Sequence, residues 1–270
     1  MPRHLVAALG LLAALATTGT ASAGPVALLS HRAAYTLSLA DRGPKSGSDS
    51  GTTLESVRGA LVLEWEADCS GWLSQQRLGF VGTTSEGPGF SYDVRFTSWE
   101  APDNTKLRFQ VRSFDDGKAT ESVSGAASLK ATGGEGSAEY AEPEAKHVDL
   151  PAGTLFPTQH MQSLIQAGRA GERIVTNYVF DGSGPDALNK VTAVLGQGHT
   201  AKGEDGVDEQ RWPVSLAYYG VGKADELPQF SLGFELSERG VLHDITLDYG
   251  EFALKGELEK LEPLGQPQCQ

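Results

Sequence analysis

LPAGTLFPTQHMQSLIQAGRAGER, Leu150 to Arg173, is the one stretch of this chain in which apolar residues recur with a helical period rather than in alternation. Met161, Leu164 and Ile165 stand at i, i+3 and i+4 with Ala167 and Ala170 nearby, while Gln162, Ser163, Gln166 and Arg169 fall on the other side. Pro157 suits a first helical turn, where its missing N–H would have had no partner, and Thr158 can cap the start. Gly168 and Gly171 supply the stop, with Arg169 near the negative end of the helix dipole. A helix of roughly three turns is marginal alone and needs a sheet to lie against. It could serve that sheet as a plug or a lid.

On either side of this segment the period is 2. Ala33, Tyr35, Leu37 and Leu39 share a face within His31–Leu39, and Val57, Gly59, Leu61, Leu63 and Trp65 share one in the next run. Phe90, Tyr92, Val94 and Phe96 oppose Ser91, Asp93, Arg95 and Thr97, and Leu107, Phe109 and Val111 alternate with Lys106, Arg108, Gln110 and Arg112. Such runs are half-buried antiparallel strands. Asp103-Asn104 and Asp116-Gly117 read as hairpin turns, the second with type I′ residues. After the helix, Ile174, Thr176, Tyr178 and Phe180 open a second series. Asn189–Leu195, a loop over Gly196–Asp208, then Trp212, Val214, Leu216 and Tyr218 follow, and then Phe230, Leu232, Phe234 and Leu236. In the last hairpin Val241, His243, Ile245, Leu247 and Tyr249 share a face. About a dozen or more strands without a Pro-rich linker imply a mostly β chain: one large, curved antiparallel sheet forming an open barrel with one central helix, inside it or at its mouth.

The chain begins with Arg3 in a short basic start, an apolar run from Leu5 to Ala16, and Ala21-Ser22-Ala23. This is a secretory signal peptide over residues 1–23, with the mature domain at 24–270. The apolar run is too short to span a membrane, and no cysteine follows it for a lipoprotein anchor. Loss of Arg3 takes the net charge from −13 to −14, which argues against nucleic acid and against electrostatic attachment to anionic lipid. An exported chain meets oxidising surroundings, so Cys69 and Cys269 are expected to pair; with no C-x-x-C, a reactive free thiol is the poorer alternative. In the chain-entropy model so long a loop contributes about 5 kcal/mol.

Catalytic signatures do not emerge. G-x-S-x-G, H-E-x-x-H, H-x-H, a phosphate-binding loop and zinc-type cysteine spacing are all missing, so neither metal nor cofactor is implied. His31, His147, His199 and His243 are scattered singly; His160, in the first helical turn, is a candidate for binding or simply for packing. Asp181–Asp186 and Glu204–Asp208 hold carboxylates without the spacing of a calcium loop and read as solvated turns. Trp65, Trp72, Trp99 and Trp212, with Phe156 and His160, are the candidates for contact with a ligand or partner. They could line a cavity for a lipid or acyl chain, or fill the core.

HRAAYTLSL at His31–Leu39, RGALVLEWEADCSGW at Arg58–Trp72, TSWE at Thr97–Glu100, LPAGTLFPTQHM at Leu150–Met161 and the C-terminal cysteine carry a resemblance. Over nearly all of the mature chain they resemble the EipB family of periplasmic cell-envelope-integrity proteins of alphaproteobacteria, formerly a domain of unknown function. The resemblance implies a many-stranded β-spiral, a bridge at Cys69–Cys269, a role in envelope integrity and no catalytic activity. Its shape is also similar to that of periplasmic lipoprotein carriers, a likeness of fold alone. The expectation is a non-enzymatic periplasmic protein, a monomer rather than an oligomer, that binds an envelope protein or lipid. A lipid or lipoprotein carrier is the alternative, and an envelope-polymer hydrolase, needing clustered carboxylates or His160 with partners in a cleft, is a third reading.

Overall fold

The computed structural model describes residues 26–40, 54–85, 87–222, 227–265 and 267. The expected leader and Cys269 lie outside them. The chain forms β1 (His31–Leu39), β2 (Leu54–Asp68), β3 (Gly71–Thr84), β4 (Gly87–Glu100), β5 (Lys106–Asp115), β6 (Lys118–Leu129), β7 (Gly136–Glu142) and β8 (Lys146–Leu150). The two-residue β9 (Thr154–Leu155) and α1 (Pro157–Ala170) come next. The second series is β10 (Ile174–Phe180), β11 (Leu188–Leu195), β12 (His199–Lys202), β13 (Asp208–Gly220), β14 (Phe230–Ser237), β15 (Leu242–Asp248) and β16 (Ala253–Pro263).

These strands make one 16-stranded sheet that runs from β8 back through β1, across to β16, and on through β13, β11 and β10 to β9, with β12 paired to β13 alone. β1 pairs antiparallel with both β2 and β16, which joins the two meanders along one side. On the other side the edges β8 and β9 are consecutive in the chain, linked by Pro151–Gly153. The result is a nearly closed barrel in which the Leu150–Arg173 stretch spans the seam. Packing completes the closure: Phe109, Tyr140 and Phe180 stack edge to face at 5.3–6.3 Å across it, and the Tyr140 hydroxyl donates to the Gly184 carbonyl at 3.1 Å.

Inside lie two apolar cores. The larger draws on β1, β2, α1, β11 and β13–β16, with Tyr35, Leu37, Leu164, Ile165, Leu236 and Ile245 fully enclosed; the smaller, under β5–β8, gathers Leu107, Phe109, Tyr140, Phe156 and Phe180. The stripe of α1 belongs to the larger core, so the helix is a built-in plug.

Five expectations are corrected. Phe156, not Thr158, is the N-cap residue, and no side chain of its own segment caps the helix. Gly171, in the left-handed region at φ 75°, ends the helix, but Gly168 lies within it, because the Trp212 ring packs on that spot. The Gly196–Asp208 loop contains β12, whose residues are polar and exposed enough to leave no apolar alternation. Ile174 is 68% exposed, while Val179 and Phe180 are both buried, because the end of β10 is covered on one face by each core. His243 does not share a face with Ile245 and Leu247: a bulge at Asp244, φ 50°, gives that face to Leu242 and turns His243 towards Glu209.

Candidate functional site

Glu100 ends β4 with its side chain 1% exposed, directed at the start of α1. Its Oε1 accepts the Thr158 N–H at 2.9 Å and the Thr158 hydroxyl at 2.7 Å, and Oε2 accepts the same N–H at 3.1 Å. A carboxylate from a distant strand thus replaces the missing local cap, where unsatisfied amides and the helix dipole favour negative charge. Burial nevertheless pushes the Glu100 pKa up to about 7, with the Thr158 bonds opposing. His160, one turn on, is driven down to about 4 by burial, and its Nε2 has no hydrogen-bond partner among the described residues. Both groups serve the plug.

Between the two cores the interior opens into a cavity of 510 Å³. Its apolar wall is Leu78, Val94, Phe96, Val111, Leu232 and Leu247, inward-facing residues of β3, β4, β5, β14 and β15. Tyr92, Tyr218, Phe230 and Tyr249 form an aromatic side, with Tyr218 and Phe230 tilted at 5.5 Å and Phe230 and Tyr249 at 5.1 Å. Burial raises all three phenols, Tyr249 to about 12, and the Asp181 charge adds to the rise at Tyr218. Asp181, Glu121 and Asp186 bring carboxylates, and among the described residues no Lys, Arg or His lines the space. Asp181, expected in a solvated turn, instead faces the cavity: burial raises its pKa, and it accepts the Ser183 N–H at 2.9 Å. A concave, mostly apolar space with a few polar groups is the usual form of a small-ligand site, and this volume, open on one side, lies within the range of about 300–1,000 Å³ for such sites.

None of the six candidate side chains lines this cavity. Trp65 and Trp212 are in the larger core, Trp72 packs against it, and Phe156 is in the smaller. Trp99 lies on the outer face, its indole N–H donating to Ser70 Oγ at 3.2 Å and its ring under the Arg108 guanidinium at 5.4 Å. His160 is in the larger core's plug, away from the opening. The lining residues had been legible as inward faces of strands, yet alternation does not say which part of a face is left uncovered.

A third polar feature was not foreseen. Glu209, 3% exposed at its side chain, accepts from Arg211 Nε at 2.8 Å and Arg239 Nη2 at 3.0 Å, and Arg239 also reaches Asp205 at 2.8 Å. This network ties β13 to the β14–β15 turn and has its charges matched. Among the described residues no group of His, Cys, Asp and Glu is arranged to hold a metal, and no helix is long and apolar enough to cross a membrane.

Comparison with known proteins agrees with this architecture. A crystal structure of a beta-barrel-like protein of a domain of unknown function from Brucella abortus superposes with a TM-score of 0.78 at 29% identity, covering 89% of this chain and 100% of that one. The cell envelope integrity protein EipB of Brucella abortus (strain 2308) is 32% identical over 254 residues, 90% of this chain and 88% of its own length. The model of the EipB-like family matches residues 22–265, and this chain therefore belongs to that family.

Proposed function

We propose that this protein is a non-enzymatic periplasmic component that supports cell-envelope integrity by holding an envelope molecule inside its curved sheet. The observation that carries the reading is the 510 Å³ cavity, walled by strands from both meanders and left open between two otherwise packed cores. The relative named for envelope integrity supports the setting, and the leader-like residues 1–23 support export. A disulfide between Cys69 and Cys269 belongs to the same reading. Cys69 sits in the β2–β3 turn, and the chain end is led towards it: Leu264 N–H donates to the Ser30 carbonyl at 2.7 Å, while Ser30 Oγ accepts from Ala67 N–H at 3.0 Å.

Native mass spectrometry with lipid extraction, on protein purified from the periplasm of its own cells, tests the proposal. A stoichiometric lipid or lipopeptide adduct is expected. If that adduct passes to an acceptor membrane, the protein is a carrier, the second reading. A clean apo mass overturns cavity binding and leaves the outer surface as the place for a protein partner. A hydrolase is disfavoured by the position of His160, buried in the plug with its Nε2 unpartnered.

A further inference from the structure

Resting on the cavity reading, we propose that the occupant is an amphiphile whose polar end is positively charged, an amine or quaternary ammonium on an apolar chain. Three independent features of the lining select it. The apolar wall of Leu78, Val94, Phe96, Val111, Leu232 and Leu247 takes the chain. The tilted rings of Tyr218, Phe230 and Tyr249, 5.1–5.5 Å apart, offer π faces to a cation, which weakly hydrated alkylammonium groups use better than water does.

The charge comes from Asp181 and Glu121. Asp186 contributes less, since Lys146 already pairs with it at 3.2 Å. Asp181 is held by a backbone N–H, and among the described residues no basic side chain lines the cavity to compensate it, so a half-buried carboxylate faces the space without a counter-charge from them. A cation relieves that cost and an anionic head group adds to it. The net charge, −13 for the whole chain and −14 without residues 1–23, draws cations towards the opening as well.

Isothermal titration calorimetry with decyltrimethylammonium, decyl maltoside and decyl sulfate, each below its micelle concentration, separates the possibilities. One decyltrimethylammonium is expected to bind per chain, about tenfold or more tighter than decyl sulfate, with the maltoside between them. In an Asp181→Asn, Glu121→Gln double variant the cation should lose that advantage while the maltoside is unaffected; Asn keeps a carbonyl for the Ser183 N–H, and an unchanged melting curve verifies the fold. Leu232→Trp, which fills the cavity, should abolish binding of all three, and cation binding that survives it is adventitious and overturns the proposal. Decyl sulfate binding as tightly as the cation, or a double variant with unchanged selectivity, overturns the charge assignment and leaves the cavity reading standing. Failure of every probe to bind overturns both.

Discussion

Gly168 and Trp212 illustrate how one residue's size is set by another. A Cβ on Gly168 would lie 2.7 Å from the indole, and Gly198 presses on the same ring from its own loop. In an exposed helix, Gly→Ala is stabilising by about 1 kcal/mol. Here overpacking opposes it, at a cost of about 1–3 kcal/mol. Gly168→Ala is therefore expected to lower the melting temperature by a few degrees and to shift tryptophan emission, readable in a fluorescence-monitored melt; a higher melting temperature would mean the indole moves freely. Gly182 is tighter still. At φ 69° it occupies the left-handed region, and a Cβ would overlap the Phe109 ring that closes the seam.

At the scale of the element, α1 depends on a carboxylate that its own segment does not supply. The pKa of Glu100 is raised in the fold, so the folded chain keeps a proton that the unfolded chain releases. That stabilisation is complete below the ordinary glutamate pKa of about 4.3 and is lost as pH rises to about 7. His160 slopes the other way: lowered to about 4, it contributes fully above the ordinary histidine pKa of about 6.5 and its contribution is lost as pH falls through about 4. Each arm is worth on the order of 3 kcal/mol, so they nearly cancel between pH 4.5 and 6.5. Glu100→Gln removes one arm only. Urea midpoints for the variant should climb with pH across that window, and the difference from the parent should shrink up to about pH 7 and stay constant above it; superimposable pH curves would refute the raised pKa. Glu100→Ala, which removes the same arm and also strands the Thr158 N–H, is expected to cost most below about pH 4.3 and still about 2 kcal/mol above pH 7.

At the scale of the whole molecule, the sheet closes because its first and last strands pair and because the segment between β8 and β9 bridges the seam. A Cys69–Cys269 bond would tie the end of β16 to the β2–β3 turn, so Cys69→Ser should lower the melting temperature and make the tail sensitive to protease. An unchanged melt under non-reducing conditions would show the bond to be absent or without effect. Much of this architecture was legible locally. Alternation marks a strand because side chains point to opposite faces, and a 3.6 period marks a helix for the equivalent reason, so the strands, the Asp116-Gly117 hairpin and α1 follow from neighbours in the chain. β9 and β12 escaped, being held by pairing rather than by apolar pattern. The bulge at Asp244 moved His243 to the other face, because one extra residue reverses the register. Tertiary structure alone decided that Glu100 caps a helix 58 residues away, that the tryptophans fill core or outer face while tyrosines line the cavity, and that Asp181 turns inward. Residue order therefore determined which side chains face in. Where the two cores fail to meet depends on the curvature of the closed sheet, a property of all its strands together.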